Sequence, residues 1–199
     1  MSNSYQYAHD SYYCYENSNV LKNKLGIRNA DVLEEKERKI VGLRYIELFQ
    51  NIPGGEMDVH YLLKIHKFLF QDIYTWAGKI RTVDIAKGNM FCNSAFIYPN
   101  AAEIFDKLKS EHYLQDLSAN ELPTKMAYYF SEINALHPFR EGNGRTQRAY
   151  FSILAQKLGY HLDFSNISQE DMVKASSQSF LKKYEQINSI FLSSLHQST

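Results

Sequence analysis

The sequence predicts an all-α fold that carries one small β-hairpin. Apolar residues recur at helical spacing through most of the 199 residues, and capping residues, glycine or proline bound the periodic stretches. One stretch differs, because RTVDIAKGNMFCNSAFIY at 81–98 alternates weakly and turns at Lys87-Gly88-Asn89. With 44% apolar and 22% charged residues, the chain has a globular composition, and we expect one domain over 1–199.

The first two helices are predicted from their N-terminal signals. Asn29 or Asp31 begins the first helix, with Glu34 as the capping partner, and the run ends at Pro53-Gly54-Gly55. The second begins near Asp58. Each has an apolar face: Val41, Tyr45, Leu48 and Phe49 in the first, and Leu62, Ile65, Leu69 and Ile73 in the second.

Three further helices are predicted after the hairpin. Asn100, with Glu103 three residues later, is expected to cap the third, Pro123 begins the fourth, and the fifth covers 146–158 before a stop at Gly159. Their apolar residues are Ile104 and Leu108 in the third, Met126, Phe130 and Ile133 in the fourth, and Phe151, Leu154, Ala155 and Leu158 in the fifth.

The C-terminal part is also predicted to be helical. Ser168 is expected to cap a helical region that runs through Phe180. A last helix is indicated by Ile187, Phe191 and Leu195. The hairpin is marginal by itself, so we expect it to lean on these helices and to leave one edge available.

Charge and cysteine usage exclude several classes of protein. The 22 basic residues balance the 22 acidic residues, which argues against direct binding of nucleic acid. Cys14 and Cys92 match no metal or redox spacing, and His60 and His66 lack the spacing of a metal-binding helix. We find neither a signal peptide nor an apolar run of membrane-spanning length, so we expect a soluble cytoplasmic protein.

The segment HPFREGNGR at 137–145 is the strongest candidate for chemistry. Gly142-Asn143-Gly144 allows positive φ angles just before a predicted helix, so that successive backbone N–H groups form an anion cradle. Arg145 and Arg148 share one face of the first helical turn. Because a helix N-terminus does not favour cations, two arginines there indicate a polyanion such as a triphosphate.

Three other residues of this segment have candidate roles. Glu141 lies beside the cradle, where a carboxylate next to phosphate is favoured only if a cation such as Mg²⁺ bridges them. His137 is suited to take a proton near pH 7, and Phe139 is interpreted as an anchor into the core. Taken alone, His137 is ordinarily a helix cap, the Gly142-Asn143-Gly144 stretch a turn, and the two arginines solvated side chains. Their combination within twelve residues favours phosphate chemistry.

The stretch 137–148, HPFREGNGRTQR, resembles the signature of the Fic family without a gap: His, any, Phe, any, acidic, Gly, Asn, Gly, Arg, two of any kind, Arg. YTWAGKIR at 74–81 and the hairpin at 81–99 are similar to the family's flap. YENSNVLKNKLG at 15–26, within an N-terminal arm at 1–28, is similar to the arm of toxin-type bacterial members. The resemblance implies the family's helical bundle with 137–148 as catalytic loop and helix start.

The resemblance implies a protein adenylyltransferase that moves AMP from Mg–ATP to a Ser, Thr or Tyr hydroxyl of a target protein. His137 would then be the general base, and Glu141 would hold Mg²⁺. Gly142, Asn143 and Gly144 would form the anion hole, while Arg145 and Arg148 would bind the β/γ end of the nucleotide. The flap would pair its edge with an extended target segment through Asp84, Ile85, Ala86, Lys87 and Gly88.

Alternative activities remain open at this point. Doc toxins, one member type of the family, act as kinases; their motif has a bulkier group in place of the first glycine of the cradle and lacks the final arginine. Gly142 and Arg148 are both present here, which favours nucleotidyl transfer. Transfer of UMP, phosphocholine or phosphate on the same fold, and a non-catalytic scaffold that only binds nucleotide, are the other hypotheses.

Family members usually carry an inhibitory helix with Ser or Thr, three residues, Glu, then Gly or Asn. Outside the 137–148 motif only Glu16 precedes Gly or Asn. Four residues before Glu16, where the motif requires Ser or Thr, the chain has Tyr12. The resemblance to toxin–antitoxin members therefore implies a separate small antitoxin that supplies a glutamate to pair with Arg148, with a type II topoisomerase subunit as one possible target. Self-inhibition through the segment near Glu16 is the alternative.

Overall fold

Seven α-helices and two short strand pairs make up the computed structural model, which describes residues 10–87 and 89–198. The helices are α1 Ala30–Gln50, α2 Val59–Phe70, α3 Ile97–Ser110, α4 Leu122–Leu136, α5 Asn143–Lys157, α6 Gln169–Phe180 and α7 Glu185–Ser194. The strands are β1 Ala86–Lys87, β2 Asn89–Met90, β3 Tyr160–Leu162 and β4 Leu195–Gln197. The predicted helical fold with a hairpin is confirmed.

The N-caps of three helices confirm the sequence signals. Asn29 accepts a hydrogen bond from the backbone N–H of Val32, and Asp58 and Ser168 cap α2 and α6 in the same way. The predicted partner of the first cap was wrong, however. Glu34 forms an ion pair with Arg38, one turn along the exposed face of α1.

Two predicted helix starts were also wrong. Asn100 does not cap α3, which begins three residues earlier at Ile97, behind a 3₁₀ turn at Ser94–Phe96. Ile97 is fully buried, so packing draws the chain into the helix before Asn100 is reached. Likewise α5 begins at Asn143 rather than Thr146, because Gly142 already provides a left-handed N-cap.

The hairpin is shorter than the 81–99 segment that was predicted for it. Strand β1 pairs with β2 in antiparallel register, and from 94 onward the chain turns into the 3₁₀ turn and α3. Gly88, at the tip, lies outside the described residues. A second antiparallel pair joins β3 to β4, so Leu195, predicted to be helical, begins a strand instead.

The loop at the start of the 137–148 segment lies between two central helices. Helix α4 packs against α3, α5, α6 and α7, and α5 packs against α2, which in turn packs against α1. The core between them is formed by buried apolar side chains that include Leu48, Ile65, Phe70, Leu108, Met126, Phe151 and Phe191. The loop that joins α4 to α5 is therefore held from several sides.

Of the N-terminal arm at 1–28, the first nine residues lie outside the described residues. Tyr13 and Cys14 are buried, and Cys14 forms an antiparallel bridge with Leu21. In the part of the chain that the structure describes, none of the helices has the length and apolar character needed to cross a membrane.

Candidate active site

His137 ends α4 in a left-handed conformation, with φ 47° and ψ 61°. Its ring stacks on Phe91 of the flap, with ring centroids 3.8 Å apart, and the residue is only 8% exposed. Burial lowers the pKa of His137 to about 3, and the positive charges of Arg81 and Lys87 act in the same direction. The imidazole is therefore neutral near pH 7.

The proton position on His137 follows from its backbone contact. Nδ1 lies 3.3 Å from the carbonyl oxygen of Asn134. A carbonyl can only accept a hydrogen bond, so Nδ1 carries the proton and donates it. Nε2 is then the basic nitrogen of the neutral ring, as a proton acceptor requires.

Arg81 connects the hairpin to the loop that follows α4. This arginine is 1% exposed, and its guanidinium donates to the carbonyl oxygens of Val83, Cys92, Leu136 and His137. Its backbone N–H donates to the carbonyl oxygen of Pro138 at 2.9 Å. Because one side chain bonds the end of α4 and both sides of the hairpin, it fixes the flap relative to His137.

Asn143 and Phe139 brace the loop internally. Asn143 accepts from the backbone N–H of Phe139 at 2.8 Å and donates to the carbonyl oxygen of Phe139 at 2.7 Å. Phe139 is buried and stacks on His66, with ring centroids 3.8 Å apart. The side chain of Asn143 therefore serves the loop, and its backbone N–H remains at the start of α5.

His66 is a second brace, although its spacing from His60 excluded only a metal-binding helix. Its Nδ1 accepts from the backbone N–H of Gly78 at 2.7 Å, so Nε2 donates to the carbonyl oxygen of Glu141 at 3.0 Å. Burial lowers the pKa of His66 to about 3, so the ring is neutral. The sequence signal for a buried histidine was its position among the apolar residues of α2, because that face of the helix is buried.

Gly142 adopts φ +84°, and a Cβ added there would overlap the ring of Phe70. Glycine is therefore required by conformation and by space. The first helical bond of α5 runs from the N–H of Thr146 to the carbonyl oxygen of Gly142. The N–H groups of Asn143, Gly144 and Arg145 precede that bond and lie at the positive end of the helix, where an anion binds favourably.

Two carboxylates meet Arg145. Its Nη2 donates to Glu37 of α1 and lies 3.3 Å from Oε1 of Glu141. Glu37 also accepts from the hydroxyl of Tyr74. Burial raises the pKa of Glu141, and the nearby Glu37 carboxylate raises it further, while Arg145 opposes both effects.

Arg148 lies one turn after Arg145 on α5. A Cβ on Gly144 would lie 3.4 Å from its Nη1, which places the guanidinium beside the cradle. Burial lowers the pKa of Arg148, and Arg145 acts in the same direction, while Tyr45 opposes it. Within residues 10–87 and 89–198, Arg148 has no carboxylate partner at salt-bridge distance.

The N-terminal arm reaches the loop through a buried ion pair. Arg140 donates from Nε to Asp10 at 3.0 Å, and both side chains are almost fully buried. Its Nη2 lies 3.5 Å from Sγ of Cys14. Glu16 occupies an exposed turn of the arm.

The flap residues divide into two groups. Asp84 closes the base of the hairpin by accepting from Asn93 and from the backbone N–H of Ser94. The side chain of Ile85 is buried, and its carbonyl accepts from Phe91. Ala86 and Lys87 form β1 and are partly exposed.

Glu141 fits a divalent cation. The bonds from Gly142 N–H and from Arg145 both reach Oε1 of Glu141, so Oε2 can still bind a metal ion. Within the described ranges, groups of three or more histidine, cysteine, aspartate or glutamate residues that could hold a metal do not occur. One carboxylate completed by phosphate oxygens is the coordination that Mg²⁺ uses with nucleotides.

Residues 56–155 match the Fic/DOC family. The chain belongs to this family. It is 39% identical over 90% of its length to the protein adenylyltransferase VbhT of Bartonella schoenbuchensis, of which it spans 38%. It is 36% identical over 84% of its length to the probable protein adenylyltransferase y4lH of Sinorhizobium fredii, of which it spans 86%.

The fold agrees with solved Fic domains. The N-terminal Fic domain of a VirB-translocated effector protein from Bartonella quintana, solved with bound ADP, superposes with a TM-score of 0.90 at 31% identity. The superposition covers 96% of this chain and 97% of that one. Glu37 and Asp10 lie outside the matched Fic/DOC segment, yet both reach its loop.

Proposed function

We propose that this chain is a protein adenylyltransferase that moves AMP from Mg–ATP to a Ser, Thr or Tyr hydroxyl of a target protein. The observation that carries the proposal is the pairing of a neutral, buried His137 with the cradle and arginines at the start of α5. The names of VbhT and y4lH support the same activity, and the ADP of the Bartonella quintana domain supports nucleotide binding.

The residues divide the reaction between them. Nε2 of His137 takes the proton of the target hydroxyl as its oxygen bonds to the α-phosphorus. The bond from that phosphorus to the bridging oxygen breaks, and pyrophosphate leaves. The N–H groups of Asn143 and Gly144, with Arg145 and Arg148, stabilise the charge on the phosphates. When bound by Glu141, Mg²⁺ neutralises part of the same charge.

We place the target segment against the flap. β1 belongs to a two-stranded pair, so its other edge can pair with an extended peptide through backbone hydrogen bonds. Ala86 and Lys87 are the described residues of that edge, whereas Asp84 and Ile85 hold the base of the hairpin. The stacking of Phe91 on His137 places the end of β2 beside the proton acceptor.

AMP transfer is favoured over the kinase alternative by the space at Gly142. The Phe70 ring fills the position of a side chain there, so the loop is built around glycine. Arg148, the residue that Doc toxins lack, lies beside the cradle.

We further propose that a small cytoplasmic antitoxin inhibits the enzyme in trans by supplying a glutamate to Arg148. The missing internal motif and the placement of Glu16 in an exposed turn support this proposal. A helical peptide with the Ser-three residues-Glu-Asn pattern should lower AMP transfer by the wild type. The same peptide should leave the residual activity of Arg148→Ala unchanged; equal inhibition of both would contradict inhibition through Arg148.

The test of the activity uses ATP labelled at the α-phosphate, Mg²⁺ and a bacterial lysate supplemented with purified type II topoisomerase subunits. Wild type, His137→Ala and the control His60→Ala, which alters an exposed histidine of α2, are compared. Protein labelling by the wild type and the control, absent with His137→Ala, is expected. Labelling only from γ-labelled ATP would contradict AMP transfer, and nucleotide binding without either label would indicate a scaffold.

A further inference from the structure

Glu37 lies on α1, outside the Fic/DOC segment at 56–155, and its carboxylate contacts Arg145. Its side chain is 9% exposed. One carboxylate oxygen accepts from the hydroxyl of Tyr74 and the other from Nη2 of Arg145. A buried carboxylate with two donors has a fixed position, since its release would leave both donors unpaired.

The same nitrogen of Arg145 also faces Glu141. Nη2 lies 3.3 Å from Oε1 of Glu141, longer than the 2.7–2.9 Å of an ordinary charge-assisted bond, and it is closer to Glu37. The guanidinium also lies over the ring of Phe70, 4.8 Å from its centroid. Two carboxylates thus compete for one cation, and Glu37 has the closer contact.

We propose that Glu37, held by Tyr74, is a positioning residue that keeps Arg145 from pairing fully with Glu141 and so leaves Glu141 available to the divalent cation of the nucleotide. This inference rests on the proposed function, in which Glu141 binds Mg²⁺. With Glu37 present, its charge balances that of Arg145, so the three side chains together have a net negative charge for the metal when Glu141 is ionised. Without it, Arg145 and Glu141 form a neutral pair that a cation must break.

The consequence is specific to metal-dependent binding. Removing the Glu37 charge should weaken the gain in nucleotide affinity that Mg²⁺ provides. It should not weaken the binding of metal-free nucleotide, because Arg145 still faces the phosphates. A purely structural role for Glu37 would instead lower both affinities, or only the stability of the fold.

Calorimetric titration with a non-hydrolysable ATP analogue, in Mg²⁺ and in EDTA, measures this gain as a ratio of two dissociation constants. The variants are Glu37→Gln, which keeps the size and removes the charge, and Tyr74→Phe, which keeps the ring and removes one restraint. Glu35→Gln is the matched control, because Glu35 lies on the same helix in an exposed pair with Lys39.

The Mg²⁺-dependent gain should fall about ten-fold in Glu37→Gln, as is typical when a residue behind a metal ligand is lost. A smaller fall is expected in Tyr74→Phe and none in Glu35→Gln. An unchanged gain in Glu37→Gln and Tyr74→Phe would overturn the inference. So would tighter Mg²⁺-dependent binding in Glu37→Gln, which would make Glu37 a competitor of the phosphates for Arg145.

Two further outcomes are also decisive. If Glu37→Gln does not fold, the test relies on Tyr74→Phe. A folded Tyr74→Phe chain with the wild-type Mg²⁺-dependent gain in affinity would overturn the proposal that Tyr74 holds Glu37 in position. If the wild type binds no nucleotide in Mg²⁺, the proposed function fails and the inference fails with it. If the wild type binds Mg–nucleotide and the variants have the same Mg²⁺-dependent gain in affinity, the inference fails while the proposed function stands.

Discussion

At one end of the 137–148 segment, His137 is enclosed by an aromatic ring and by positive charge; at the other end, Arg145 contacts two carboxylates, and Arg148 lies beside the backbone of the cradle. The His137 end is buried, and burial keeps the imidazole ring uncharged. The arginine end is partly exposed and carries opposite charges close together. Seven residues separate His137 from Arg145.

In the proposed function, this difference lets one short segment serve two kinds of chemistry. A base must lose its proton before it can accept another, and burial achieves this at His137. Phosphate binding needs positive charge. At the second end, Arg145 keeps its charge in ion pairs with Glu37 and Glu141. The braces between them, Asn143 and His66, hold the two environments at a fixed separation.

The largest expected effect breaks the His137 end. Arg81→Met should lower the free energy of unfolding by about 4 kcal/mol, because several buried carbonyl oxygens lose their donor. Lys79→Met, an exposed change two residues away, should stay within about 0.5 kcal/mol. Urea unfolding of both variants measures this, and equal losses would contradict the linking role of Arg81.

A smaller loss is expected between the two ends. Gly142→Ala should cost about 3 kcal/mol, because it adds an overlap with Phe70 to the strain of φ +84°. Gly159→Ala has nearly the same φ, +81°, but in the described part of the chain its Cβ would meet no atom within 4 Å, so about 1 kcal/mol is expected. Similar losses would show that space at Gly142 is not limiting.

The next effect depends on pH. His66 and His137 have folded pKa values of about 3, below their ordinary value of 6.5, so the unfolded chain takes up protons first as the pH falls. The two histidines leave the free energy of unfolding nearly unchanged well above pH 6.5. As the pH falls below 6.5, protonation of the unfolded chain lowers the free energy of unfolding. Between pH 7 and 5, each should cost about 2 kcal/mol.

Urea unfolding at both pH values tests this, with His66→Gln removing one of the two contributions. His60→Gln, an exposed change on the same helix, should leave the pH dependence as it is. A wild-type stability that does not change between pH 7 and 5 would contradict the buried neutral state of both rings.

Local signals predicted the parts of this fold that depend on neighbouring residues. Asn29, Asp58 and Ser168 cap helices as expected, because a cap is made within a single turn. Asn100 has the same signal but lies inside α3, since burial of Ile97 outweighs a local cap. The residues of the 137–148 motif were named in full because they are adjacent in sequence.

The partners that brace the motif could not be predicted in the same way. Asp10 reaches Arg140 across 130 positions and Glu37 reaches Arg145 across 108. Neither acid has a local pattern that distinguishes it from a solvated carboxylate, and only the packing of the arm and of α1 brings them to the loop. Arg81 and His66 were visible in the sequence, but their roles depend on contacts with residues far along the chain.

The most direct measurement compares nucleotide affinity with the rate of AMP transfer in His137→Ala and Arg148→Ala. If the two ends have separate roles, His137→Ala should bind Mg–ATP as the wild type does while transfer falls at least about 100-fold. Arg148→Ala should lose affinity. A His137→Ala chain that loses affinity and transfer together, or that retains transfer, would contradict the assignment of the base and the phosphate grip to opposite ends of the segment.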